Sequence, residues 1–419
     1  MFPNPQEALP LPSRPNLEQY KKRAKDLVKA CRSGNPGAIR AWAHEWLQTS
    51  ADQVADFART RLSPESGSCA LADAQFVIAR SFGFASWPKF AAHIESLERT
   101  NSPVAAFESA ADAVVTGEAA TLADLVREHP GLVRERSTRE HHATLLIYTS
   151  ANGVEGYRQK SPKNAAAIAE MLLNAGAEVD ATAAVYGAEY TTLGLVATSA
   201  PPAIAGVQIP LIDLLLSHGA RMDRFGGHGY GLVRDCLANG QPTAAEHLVS
   251  RGAPLDLVAA AGLGRVDVLQ KFFDGARHPT AGATMAQMAD ALALASSYGH
   301  ADAVRSLLDR GIDVNAELKG HGAGHTALHV AAYHGHVDVV NLLLARGARV
   351  DVTDKTWKTP PLSWALTGWA RKHADADDCY EIVALLVRAG AVVTPELLDW
   401  ENVQADPKMR AALKGTLRP

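Results

Sequence analysis

Six of the sixteen histidines lie between His300 and His336, and His321, His325 and His329 recur every fourth residue. On one helix that spacing would turn three imidazoles toward a metal ion. Gly320, Gly322 and Gly324 break the chain among them, so no single helix carries the series and no metal site is expected. A second polar constellation sits in two long loops. Residues 152–162, NGVEGYRQKSP, hold Asn152, Glu155, Tyr157, Arg158 and Gln159, and residues 198–208, TSAPPAIAGVQ, hold Thr198, Ser199 and Gln208. If the loops adjoin, a carboxylate, a guanidinium and several amides form a polar pocket in which Glu155 serves as general base, provided burial raises its pKa. The opposing expectation is that long polar loops satisfy their own backbone groups. A third set is aromatic and cationic: Tyr186, Tyr190, Arg224, Phe225, His228, Tyr230, His321, His325, Trp357 and Lys358. Rings and directed charge of this kind suit recognition of a partner. The sequence has no GxxxxGK[ST], HExxH or GxSxG motif and no GxGxxG opening a helix after a strand. It therefore gives no reason to expect a cofactor.

The elements that must position these residues repeat. Gly176-Ala177, Gly219-Ala220, Gly252-Ala253, Gly275-Ala276, Gly311-Ile312, Gly347-Ala348 and Gly390-Ala391 follow one another at 43, 33, 23, 36, 36 and 43 residues, mostly after a Leu-rich segment. A period near 33 marks a stacked array. The clearest unit is HTALHVAAYHGHVDVVNLLLARGARVD, His325 to Asp351. Thr326 caps a short helix with Leu328, Ala331 and Ala332 on its apolar face, and Gly335 ends it. A second helix carries the stripe Val339, Val340, Leu343 and Leu344, and Gly347 supplies a left-handed cap. One such pair cannot bury its own stripe, so neighbours must stack on it.

This unit closely resembles the ankyrin repeat, with His329 and the Gly335-His336 pair at the family's structural positions. Looser units flank it: 360–392 with about ten extra residues from Thr367 to Asp377, then 291–315, 257–273, 231–253, 191–220, 144–177 and 105–133, about eight helix pairs in all. The fold class expected is all-α: an ankyrin-repeat solenoid over residues 104–393, an N-terminal helical capping domain over 1–103 and a C-terminal cap over 394–419. LPSRPNLEQYKKRAKDLVKA and LADAQFVIARSFGFASWPKFAAHI are similar to the helical leader that precedes ankyrin repeats in many bacterial proteins. Its expected role is to seal the apolar end of the array. Its cations Lys21, Lys22, Arg23, Lys25, Lys29 and Arg32 also form a candidate patch for an anionic partner. The resemblance implies a scaffold that binds a protein or peptide in the groove of turns and first helices. The alternative is an enzyme or small-molecule binder using the inserted loops of the 144–253 units.

Composition narrows the classes further. The 419 residues are 47% hydrophobic and carry 41 basic against 45 acidic side chains, for a net charge of −4. Nucleic-acid binding needs clustered positive charge, which is missing here. The start, MFPNPQEALPLPSRPN, lacks the apolar core of a signal peptide, and no apolar run reaches the ~18 residues of a membrane span. A soluble cytoplasmic chain is expected, with Cys31, Cys69, Cys236 and Cys379 as reduced core residues because none forms a CxxC pair.

Overall fold

Leucine, alanine and valine at three- and four-residue spacing, interrupted every few turns by glycine, fold here into short helices stacked in pairs. The computed structural model describes residues 7–47, 49–62, 69–99, 102–223, 226, 231–274, 283–318 and 324–417. The chain forms two units, 1–232 and 233–419. The divisions expected at 103/104 and 393/394 fall inside the first and the second unit respectively.

The first unit opens with α1 (Leu17–Arg32), α2 (Ala38–Trp46), α3 (Ala51–Arg61), α4 (Leu71–Ser81) and α5 (Trp87–Leu97). Asn16 begins α1 by accepting the Gln19 N–H at 3.1 Å. The leader is cemented by rings: Tyr20 meets Phe82 and Phe90 edge to face at 5.3 and 4.9 Å, and Phe84 meets Phe90 at 5.4 Å. Its basic face is partly neutralised, Lys21 by Glu18, Lys29 by Asp26 and Arg23 by Glu45. The expectation of reduced cysteines is corrected for two of the four. Cys31 and Cys69 are joined as a disulfide with Cα atoms 5.9 Å apart, because packing of α1 on α4 closes a 38-residue separation that spacing alone does not reveal. Cys236 and Cys379 are free and buried.

Three helix pairs complete this unit: α6 (Pro103–Thr116) with α7 (Ala119–Glu128), α8 (Leu145–Tyr148) with α9 (Ala165–Asn174), and α10 (Thr192–Ala197) with α12 (Gln208–Ser217), the last interrupted by α11 (Ala200–Ile204). Ahead of α10 the long turn folds as an antiparallel hairpin, β1 (Thr182–Val185) on β2 (Ala188–Thr191), with Thr182 opposite Thr191 and Val185 opposite Ala188. Tyr186 and Gly187 both have positive φ, the turn that matches strand twist. This hairpin is the one departure from an all-α reading among the described residues.

In the second unit, α13 (Leu232–Ala238, whose first residue closes the first unit) pairs with α14 (Pro242–Ser250), α15 (Leu257–Gly262) with α16 (Val266–Leu269), α17 (Met285–Ser297) with α18 (Ala301–Asp309), α19 (Ala327–His334) with α20 (Val337–Ala345), and α21 (Pro361–Ala370) with α22 (Ala376–Arg388). From α15 onward, first helices pack on first helices and second helices on second helices. Between them Leu307, Ala331, Val339, Leu343, Leu366, Ile382 and Leu386 are buried. Full burial of a Val or Leu side chain contributes roughly 1.5–3 kcal/mol. The expected insertion at 367–377 is partly helical, since α21 runs on to Ala370. The end of the chain forms α23 (Pro395–Asp399), α24 (Glu401–Ala405) and α25 (Pro407–Leu413), which cover the last pair with Val403, Met409, Ala412 and Leu413.

The recurring Gly-Ala phrase has one physical meaning wherever it is described, Gly275-Ala276 lying outside the described residues. At Gly347 φ is +84°, the Gly347 N–H reaches Leu344 O at 3.0 Å, and the Ala348 N–H reaches Leu343 O at 3.0 Å. Two orphan carbonyls of α20 are thereby satisfied. A side chain at 347 would meet no neighbouring atom, so replacing this glycine costs conformation rather than space. Gly347→Val is expected to destabilise the second unit by at least ~1 kcal/mol. Arg346→Ala removes only an exposed pair with Asp309 and should stay within ~0.5 kcal/mol. Thermal melts of the two variants compare them directly, and equal shifts would contradict this account of the cap.

Candidate functional site

Glu155 does not occupy an open pocket. It lies fully buried in the first unit, with Arg139 Nε paired to its Oε1, Arg158 Nη1 at 3.6 Å and His141 Nε2 at 3.4 Å. Glu108 of α6 completes a quartet: both terminal nitrogens of Arg139 donate to its oxygens at 3.3 Å, and Arg158 Nη1 lies 2.8 Å from it. Arg158 also donates to Asp112 at 2.7 Å and Arg139 to the Tyr157 hydroxyl at 3.1 Å. The guanidiniums stack against Phe84 and against Tyr148 and Tyr157. Phe84 belongs to the leader, so the quartet ties it to the first repeats inside one unit.

The electrostatics reverse the expected role of Glu155. Burial acts to raise its pKa, but Arg139, His141 and Arg158 outweigh that and hold the carboxyl well below the ordinary carboxylate range. Glu108 is lowered for a similar reason. Burial pushes the Tyr157 hydroxyl up to about 12, and His93 down to about 4. A carboxylate so stabilised is a poor proton acceptor near neutral pH. The other loop residues brace their own segments. Asn152 donates to Leu195 O at 3.3 Å and Thr198 Oγ1 at 3.5 Å while accepting from the Tyr186 hydroxyl at 2.6 Å. Gln159 donates to Val154 O, and Gln208 to Val196 O, Ala197 O and Ser199 O. Ser199 is buried. The two loops therefore meet at Asn152 and Thr198, whereas Glu155 and Arg158 turn toward Glu108 and Arg139.

Of the aromatic and cationic set, Arg224, Phe225, His228, Tyr230 and His321 lie outside the described residues. Tyr186 is exposed at the hairpin turn, with Tyr190 beneath it at 6.1 Å. His325, Trp357 and Lys358 belong to the second unit, where a row of rings forms around a residue that spacing did not single out. Trp364 of α21 meets Trp357 at 5.4 Å, His325 at 5.2 Å, His329 at 5.4 Å and Tyr333 at 5.9 Å, and Tyr333 continues to His373 at 5.0 Å. A signal for Trp364 was present. Leu362-Ser363-Trp364 stands where Leu328-His329-Val330 stands one unit earlier, so Trp364 occupies the outward position of a first helix.

Two buried polar residues hold this row. Asp354 accepts the N–H groups of Thr356, Trp357 and Thr359, the Thr359 hydroxyl and the Trp364 indole N–H, at 2.6 to 3.3 Å. Burial opposes its charge, but the Trp357 and Thr359 donors prevail and keep its pKa well below the usual range. The turn presenting Trp357 and Lys358 is thus fixed from inside. His329 receives the Thr326 N–H on Nδ1 at 3.1 Å and faces Thr359 O with Nε2 at 3.3 Å. An N–H can only donate and a carbonyl can only accept, so the ring is neutral with its proton on Nε2. Burial holds its pKa down at about 4. Farther along, His336 donates to Ser297 O at 2.8 Å and closes over Gly299, as His300 closes over Gly264. Among the described residues no group of three potential ligands is placed to hold a metal ion, and no helix is long and apolar enough to cross a membrane.

Two outcomes follow. Glu155→Gln leaves two buried guanidiniums undercompensated and should cost about 3–5 kcal/mol, read by denaturant unfolding; a loss below ~1 kcal/mol would mean the quartet is not sealed. For pH, His93 and His329 have folded pKa values of about 4 against an ordinary 6.5, so between those values the unfolded chain binds more protons. Their contribution is complete above pH 6.5 and declines as pH falls toward 4. His329→Asn should make that decline shallower in melts across the interval, and an unchanged slope would remove His329 from the account.

No curated protein matches the chain in sequence. Residues 257–354 match the family model described as ankyrin repeats in three copies. The pairs α15/α16, α17/α18 and α19/α20 fall within that span, which ends at Asp354, and this part of the chain carries ankyrin repeats.

Proposed function

We propose that the protein is a binding scaffold that recognises a protein or peptide on the face formed by repeat turns and first helices of the second unit. The observation that carries this reading is the ring row Trp357, Trp364, Tyr333 and His373. Trp357 is 64% exposed on a turn locked by Asp354, while Trp364 and Tyr333 are half-buried. Large rings held rigidly and left partly open supply contact area with little ordering cost on binding. Ankyrin repeats generally mediate protein–protein interaction, in keeping with this assignment. The small-molecule alternative drew on Glu155 and Arg158, whose charges are already matched by side chains of the protein.

Selection from a random peptide library displayed on phage tests the scaffold reading. Peptides enriched on the full chain should lose most of their affinity for the folded Trp357→Ala Tyr333→Ala variant and keep it for Arg305→Ala, an exposed change on α18. Undiminished binding to the ring variant would refute the assignment.

A further inference from the structure

Cations flank the ring row at both ends. Lys358 follows Trp357 on the locked turn, and Arg371 and Lys372 precede His373 at the other end. All three are exposed, and none has an acidic partner among the described residues. Of the acids nearby, Asp378 is exposed and the others are committed elsewhere. Asp354 is saturated by five donors, Glu317 pairs with Lys355 at 2.6 Å, Asp375 caps α22 through the Asp377 N–H, and Asp377 pairs with Lys408 at 2.9 Å. The outward positions of α21 and α19 between the cations, Trp364, Thr367, Val330 and Tyr333, carry no charge.

We infer, resting on the scaffold reading above, that the occupant of this face is an extended peptide with an apolar or aromatic centre and an acidic residue toward each end. The ring contacts of 5.4, 5.9 and 5.0 Å set the reach, which an extended chain of about five residues covers at ~3.3 Å per residue. The apolar centre lies on Trp364 and Tyr333, and the acids meet Lys358 at one end and Arg371 with Lys372 at the other. Electrostatic matching of this kind selects among partners and fixes their register. A single-stranded nucleic acid would also bring negative charge to rings. Two of the three ring contacts here, however, are edge to face, Trp357 to Trp364 at 68° and Trp364 to Tyr333 at 74°, with Tyr333 to His373 tilted at 37°, so the row is not a series of parallel faces for successive bases.

The test titrates the full chain with the synthetic peptide Asp-Glu-Leu-Phe-Ile-Glu-Asp, its Asn/Gln counterpart, its Lys counterpart and a short oligouridylate, following tryptophan fluorescence. The acidic peptide should bind at least ~tenfold more tightly than the neutral one, with the advantage shrinking as salt is raised. Lys358→Glu Lys372→Glu should abolish that preference and favour the Lys peptide, with the melt unchanged because both sites are exposed. Equal binding of the three peptides, a preference that survives the double reversal, or tighter binding of the oligouridylate would overturn the inference. If peptides selected on phage depend on Trp357 and Tyr333 while their charge makes no difference, acidic specificity fails and the scaffold reading stands. If that dependence on the rings is missing as well, both fail.

Discussion

A short helix pair with apolar side chains on both flanks cannot be stable alone, and this requirement governs each unit. Leu343 is buried only because the α18/α20 and α20/α22 contacts exist, and each of those helices depends on its own neighbours in the same way. Stacking demands that every helix end abruptly, so that the next segment can cross to its place. Left-handed glycine caps meet that demand and satisfy the last carbonyls without a polar side chain. Each unit also has apolar packing beyond its stacked pairs: the Tyr20, Phe82, Phe84 and Phe90 rings in the first, and Val403, Met409 and Leu413 in the core of the second.

Apolar stacking sets periodicity but leaves register loose, and buried polar residues tighten it in both units. The Glu108, Arg139, Glu155 and Arg158 quartet is balanced in charge, with each guanidinium reaching both carboxylates. Burying ions costs more than their attraction returns unless geometry and further hydrogen bonds are good. Tyr157 and Asp112 supply such bonds. Asp354 solves the same problem differently, with five donors from one turn and one indole, and no cation. All three carboxylates, Glu108, Glu155 and Asp354, are held ionised, the two glutamates by guanidiniums and Asp354 by hydrogen-bond donors. The quartet fastens segments distant in sequence, whereas Asp354 freezes a single turn.

What could be read from the sequence was whatever is local. The Gly-Ala phrase placed the ends of second helices, the Leu and Val stripes placed the helices, and the resemblance to the ankyrin repeat implied a structural histidine at His329. The α3 helix was harder to see, because ADQVADFARTR buries mainly alanines and one valine and has a weak apolar stripe. The hairpin was hidden by its Tyr186-Gly187 turn, which lacks the usual Asn or Asp. The quartet was least legible. Glu108, Arg139 and Glu155 come from segments with no common period, and only packing brings them together. The condition for a general base at Glu155, a pKa raised by burial, is not met, because Arg139, His141 and Arg158 lower it, and of these only Arg158 stands beside it in the sequence. The Cys31–Cys69 bond escaped for the same non-local reason.

The distinction between satisfied and unsatisfied chemistry is what separates the two candidate regions. In the first unit every strong charge of the loop cluster finds its complement inside the protein, so a polar ligand arriving there would have to displace an ion pair and leave a buried charge alone. Such a substitution is unfavourable by several kcal/mol before any new contact forms. On the second unit the order of events is opposite. The ordering of the turn is complete in the free protein, and Lys358, Arg371 and Lys372 have no acidic partner among the described residues. Binding there forfeits little existing interaction and adds apolar area and charge pairing together. That contrast, more than the presence of aromatic side chains alone, is why we propose recognition on this face.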